Sequence, residues 1–307
     1  MLRAYLGIFL LIVFSITNGV SASMTSANFQ INFDSINSGG TDFSSSSNYQ
    51  INDTLGEQGT GYSNSDNYLL HAGYRQSDEE IEPPTLEFIL GAQENQTQTA
   101  YTALSLIGNT VTVTDTTYFV TGTRIAVIED AGGLDLKVIV GKVIDVTGLV
   151  LTVDKWDGMT AEISVTPAGG NDFVYRTEGH LISLGILDSF GSASVVQTEV
   201  STNATNGYTL QIQSDGHLKS SPIAHINDVA DGMVTAGENE YGGRAYGQSA
   251  TSTGSDFPIT TMLRDIQKST TTASVERVSM IYKASIDATV PAGNYQQTVS
   301  YLLTPNF

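Results

Sequence analysis

The sequence predicts an all-β protein, laid out as a small N-terminal antiparallel β module, a central small β-barrel-like domain and a C-terminal β-sandwich. Three observations predict it. Apolar residues alternate with polar ones in short runs such as 110–114 and 124–128, the period that sends successive side chains to opposite faces of a strand. Clusters of Gly, Asn, Asp and Ser separate these runs, and these are the residues that turns require. One short stretch alone, Thr261 to Gln267, reads as helix.

The elements follow in order. Arg3 precedes an apolar run from Ala4 to Ile16, broken by Asn18 and Gly19 and closed by Val20-Ser21-Ala22. This predicts a secretory signal peptide over residues 1–22. The run is shorter than the ~20 apolar residues of a spanning helix, so no integral membrane segment is expected after cleavage. Residues 23–77 hold a repeat. Asn28-Phe29-Gln30-Ile31, Asn48-Tyr49-Gln50-Ile51 and Asn67-Tyr68-Leu69-Leu70 recur with a period of roughly twenty residues. In each copy the aromatic and the aliphatic residue two positions on share one strand face. Phe29, Tyr49 and Tyr68 therefore read as the core of a small sheet, or as an exposed row for stacking on sugars. The acidic segment 78–85, with Pro83-Pro84, reads as an extended linker.

Residues 86–178 form the expected barrel-like domain. Its strands lie at 110–114, 124–128, 136–140, 142–146 and 149–153, with Thr147-Gly148 as a turn. Trp156, the only tryptophan, sits where it can plug one end. Residues 179–307 form the expected sandwich. Strands at 195–200 and 208–212 flank Asn206-Gly207, a hairpin signal because both residues tolerate positive φ. A strand at 278–284, a turn at 290–294 and a closing strand at 295–303 complete it. Residues 214–260 read as long polar loops on this scaffold.

The balance of 13 basic against 32 acidic residues, a net charge of -19, argues against nucleic acid, which demands clustered Lys and Arg. The chain has no cysteine, which removes disulfides, thiolate catalysis and Cys-ligated zinc. No nucleophile elbow, His-Glu-x-x-His, phosphate loop or dinucleotide fingerprint occurs, so the protein is not expected to be an enzyme. The four histidines, His71, His180, His217 and His225, lack metal-ligand spacing, although His217 and His225 flank one loop. Asp228, Asp231, Glu238 and Glu240 crowd a Gly-containing loop, and oxygen ligands of this kind suit calcium. No other cofactor is expected. Trp156, Tyr241 and Tyr246 are the candidate ligand-binding rings.

The repeats at 26–31, 46–51 and 65–70, the stretch 200–210 and the ending Pro291-Ala292-Gly293-Asn294-Tyr295-Gln296-Gln297-Thr298-Val299 resemble segments of uncharacterised exported bacterial surface proteins of the candidate-phyla type. The ending is more distantly similar to spore-coat-U and WxL-type surface domains. Trp156 is not followed by x-Leu, so the WxL signature is absent and peptidoglycan attachment is not implied. The resemblance implies export and a β fold, and it carries no catalytic residues.

The resulting expectation is a secreted or cell-surface structural or adhesive protein that acts by display, binding or assembly. Its partners would be other surface proteins or glycans, or further copies of itself, with 295–303 as the pairing edge. A carbohydrate-binding protein is the alternative, with Trp156, Tyr241 and Tyr246 exposed in a row. A third reading is an extracellular hydrolase using Asp231 and Glu240 as an acid/base pair.

Overall fold

The computed structural model describes the strand backbones at 24–25, 30–31, 39–45, 50–55, 61–65 and 68–72, together with residues 84–101, 108–164 and 170–307. The signal segment, residues 78–83 of the linker, Phe29, Tyr49 and the side chain of Tyr68 lie outside the described residues. The chain divides into two compact units, 1–83 and 84–307.

In the first unit the strands form antiparallel pairs. β1 (Met24–Thr25) pairs with β2 (Gln30–Ile31), β3 (Gly39–Ser45) with β4 (Gln50–Leu55), and β5 (Gly61–Ser65) with β6 (Tyr68–Ala72). Each sequence repeat supplies residues of the second strand of a pair, which gives the period of the sequence a structural meaning.

The second unit is all strand and turn. Among its described residues there is no α-helix, only a 3-10 turn at Asn95–Thr97. It begins with β7 (Leu86–Ala92). Next come β8 (Thr99–Ala100), β9 (Thr110–Thr112), β10 (Arg124–Glu129), β11 (Lys137–Thr147), β12 (Val150–Val153), β13 (Asp157–Gly158) and β14 (Phe173–Arg176). These seven make one curled antiparallel sheet in the order β8-β14-β10-β11-β12-β9, with β13 beside β11. An antiparallel bridge between Tyr101 and Val113 brings its two edges together. The concave face holds a core of Ile125, Val127, Ile139, Val143, Leu151 and Val174, all essentially excluded from water. Two segments expected as separate strands, 136–140 and 142–146, are one bulged strand, β11. Gly141 is not a turn residue. A Cβ there would lie 2.9 Å from the Lys155 carbonyl oxygen and 3.1 Å from the Trp156 ring, so glycine lets that segment close onto the sheet.

The remaining strands are β15 (Ser192–Thr202), β16 (Tyr208–Ser214), β17 (Leu218–Ser221), β18 (Ala224–Ile226), β19 (Glu240–Tyr246), β20 (Arg264–Ser269), β21 (Ala273–Ser285) and β22 (Val299–Pro305). One sheet runs β19-β21-β15-β7 and the other β20-β16-β22. Val200, Met280 and Tyr282 from the first meet Tyr208, Leu210, Ile212 and Ile266 from the second in a shared core, which makes a sandwich.

Several expectations change. The segment 261–267 is not helical. Its centre is β20, where Gln267 is fully buried and hydrogen-bonds Thr198 and Tyr208 across the core. Asn206-Gly207 does not close a hairpin, because β15 and β16 belong to opposite sheets. The turn is an arch between layers, with Gly207 at φ 75°. The loop region 214–260 contributes a sandwich strand, β19. The strand 86–92, grouped by sequence with the barrel, pairs with β15. The curled sheet therefore lies in sequence between the first two strands of the sandwich, and a Gln93–Thr177 bridge ties its two ends.

β10, β11, β15 and β21 are covered on both faces. Ala126, Ile128, Val138 and Val140 on the outside of the curled sheet pack against Ala193, Val195 and Ile281 on the outside of the sandwich. At this junction Glu199 and Arg277 are cross-strand partners on β15 and β21.

Candidate functional site

The acidic loop does not gather its carboxylates. Among the described residues no group of three or more His, Cys, Asp or Glu side chains is placed to hold a metal ion. Local backbone amides take up these oxygens. Asp231 Oδ1 accepts from the Met233 N–H (3.0 Å) and Glu240 Oε2 from the Thr235 N–H (2.9 Å). Glu238 is exposed. Asp228 turns toward His217, with Oδ2 3.1 Å from Nδ1. The calcium site expected from Asp228, Asp231, Glu238 and Glu240 is not assembled: Asp231 and Glu240 accept from local amides, Asp228 pairs with His217, and Glu238 is exposed. His217 does meet His225, with rings stacked at 4.9 Å, because the hairpin of β17 and β18 brings them together.

The three candidate rings do not form a row. Tyr241 and Tyr246 are five positions apart on an unbroken strand and so face opposite ways. Tyr241 is buried in the sandwich core, 6.5 Å from the Tyr282 ring. Tyr246 packs toward the junction between sheets, and Trp156 packs against the core of the curled sheet. The Trp156 Nε1–H donates to the Gly108 carbonyl (3.1 Å).

Two features were missed at the level of sequence. The first is ionic. Arg277, fully buried, donates through Nε to Glu199 Oε2 (2.6 Å) and through Nη2 to Asp154 Oδ2 (2.6 Å), while Arg124 Nη2 reaches Glu199 Oε1 (2.8 Å). The group joins the curled sheet, through Arg124 and Asp154, to the sandwich. Burial works to raise the Glu199 carboxyl, but hydrogen bonds from Arg124 and Arg277 outweigh it and hold it below the usual range. Asp154 is lowered too: burial opposes ionisation, and the Arg277 bond and the Lys155 amide prevail. A second group sits on β19 and β21, where Asp256 accepts from Arg244 Nε (2.7 Å) and pairs with Lys283 Nζ (3.3 Å). Burial carries the Lys283 ammonium below its ordinary value against the attraction of Asp256. The first group balances two cations with two carboxylates, whereas in the second Arg244 and Lys283 share the single carboxylate of Asp256.

The second feature is a cleft of about 910 Å³ at one edge of the sandwich. Leu90 of β7, Val196 of β15, Tyr282 of β21 and Tyr301 of β22 line it, and the segment 180–187 flanks it. That segment runs without a regular ladder and turns Ile182, Leu184 and Leu187 toward the core, leaving Leu181 and Ile186 exposed at 83% and 95%. The Tyr282 and Tyr301 hydroxyls bond each other at 2.8 Å. Burial drives both phenols above their usual value, so they stay protonated donors and acceptors. The walls include His180 but no Asp, Glu, Lys or Arg, which are absent from both 179–187 and 288–307.

No family model, curated protein or solved structure matches the chain. Among the described residues no helix is long and apolar enough to cross a membrane.

Proposed function

We propose that the chain works after export as a structural or adhesive protein of the cell surface, acting by display, binding or assembly. One observation carries this reading. A cleft with many apolar walls and no Asp, Glu, Lys or Arg among its lining residues opens on the edge of a sandwich in a chain of net charge -19. Exposed apolar patches bordered by polar surface mark sites where other molecules dock. The scaffold beneath is fixed by buried strands and ionic ties, which suits presentation better than a moving catalytic centre. The sugar-binding reading loses its support with the dispersal of Trp156, Tyr241 and Tyr246, and the hydrolase reading with the commitment of Asp231 and Glu240 to local turns.

Fractionation of producing cells tests the proposal. The protein, lacking residues 1–22 by mass spectrometry, is expected in the envelope or the medium. Full-length protein confined to the cytoplasm would overturn it.

A further inference from the structure

We propose that two copies of this chain pair edge to edge through β22, in antiparallel and two-fold symmetric fashion, so that their sandwich sheets become one continuous sheet. The inference rests on the assembly reading above and names its partner.

The backbone sets the geometry. β22 pairs with β16 alone among the described strands. The Asp215 N–H donates to Thr298 O (3.0 Å) and the Asn306 N–H to Gly207 O (2.8 Å). Even-numbered residues therefore address β16. By the alternation of an antiparallel ladder, Val299, Tyr301 and Leu303 turn their N–H and C=O groups outward. That row is self-complementary. In a two-fold pairing centred on Tyr301, Val299 faces the partner's Leu303 and each donor meets an acceptor.

The side chains permit the approach. Edge strands are normally guarded by charges, bulges or an obstructing proline. β22 carries no charged residue, its register with β16 is unbroken, and its one proline, Pro305, is its last residue. Two copies with a charge of -19 each repel over most of their surface. The segment 288–307 is free of Asp, Glu, Lys and Arg and so lets them meet. Leu302 and Phe307, exposed at 48% and 63%, lie on or beside this strand. Val299, Tyr301 and Leu303 are only partly buried although they pack against the core, and a neighbouring strand would complete their cover.

Sedimentation of the protein from residue 23 to 307 over a wide concentration range tests this, with Val299→Pro and Leu302→Lys as variants. Val299→Pro removes an outward N–H at the first residue of the strand, where proline does not disturb pairing with β16. Leu302→Lys places like charges across the contact. The wild type is expected to be a dimer, and each variant a monomer with an unchanged β spectrum. A wild-type monomer at all concentrations, an open polymer, or a dimer indifferent to both substitutions would overturn the proposal. None of these results moves the fractionation outcome, so the two readings fail separately. The chain lacks cysteine, which permits a positional check. Mixed Ser300→Cys and Leu302→Cys proteins should form a disulfide-linked heterodimer. Those positions face each other as a non-hydrogen-bonded pair, with Cα atoms about 4.5 Å apart. Failure of this mixture to cross-link beyond either variant alone would exclude the Tyr301-centred register.

Discussion

Replacing Arg277 with methionine removes the cation that two carboxylates share. The Arg277 side chain is 0% exposed, that of Glu199 7% and that of Asp154 29%. Removing one member of a buried pair costs about 3–5 kcal/mol, mainly because the other charge is left uncompensated. Here the loss is moderated. Glu199 keeps Arg124 at 2.8 Å, and Asp154 keeps the Lys142 and Lys155 amides at 3.1 and 2.7 Å. The expected cost is therefore the low end, about 3 kcal/mol. In a unit of this size it corresponds to a fall in Tm of roughly 6–12 °C. Urea unfolding at neutral pH measures it. The pH dependence gives a second signature. Both carboxyls are held below their ordinary values of 4.5 and 3.8. Their stabilising contribution is complete above those values and disappears as pH falls through the depressed folded values. The deficit of Arg277→Met should therefore be largest near neutrality and narrow in acid. A deficit under about 1 kcal/mol, well short of a broken buried pair, or one that stays constant in acid, would refute the reasoning.

Three further outcomes are expected. Asp256→Asn should destabilise by about 3 kcal/mol, because Arg244 and Lys283 both lose their counter-ion; denaturant unfolding that matches wild type would contradict this. Gly207→Ala should cost at least about 2 kcal/mol, since a Cβ at φ 75° would sit 2.2 Å from the Ser269 carbonyl oxygen. An unshifted melting curve for that variant would show the arch to be adaptable. Millimolar calcium should leave Tm unchanged, because a cation bound to the native state would raise it. A calcium-dependent rise abolished by Asp231→Asn would mean that the acidic loop closes around the ion.

The strands were legible because their signal is local. Residues 110–114, 124–128 and 149–153 lie in or beside strands of the curled sheet, as short apolar runs bounded by turn residues predict. What sequence did not reveal was which strand meets which. In the run 124–128 the expected alternation is absent: Ile125-Ala126-Val127-Ile128 is apolar at every position because both faces are covered. Arg277 precedes the strand expected at 278–284 and carries no sequence signal of burial. Its burial follows from a second layer that packs on β21, and that layer comes from residues more than a hundred positions earlier. Asp154 and Glu199 are likewise brought to it only by the fold. Segment 261–267 is strand in its second half because Gln267 is fully buried and hydrogen-bonds Thr198 and Tyr208, contacts that its local sequence does not announce. Of the candidate site, the uncharged ending could be seen in the sequence. The cleft above it could not, because its walls come from β7, β15, β21, β22 and the segment 180–187.

The placement of β7 bears on how the chain acquires its structure. Its hydrogen-bonding partner, β15, is separated from it by the entire curled sheet. β7 must wait until residues 192–202 have been synthesised and delivered. The curled sheet can form from its own neighbouring strands meanwhile, and its tied ends, at Gln93 and Thr177, would then shorten the effective separation between β7 and β15. Early closure of the inserted sheet is thus expected to set the pace for the sandwich, and a slow refolding phase should respond to changes in the insert such as Gly141→Ala.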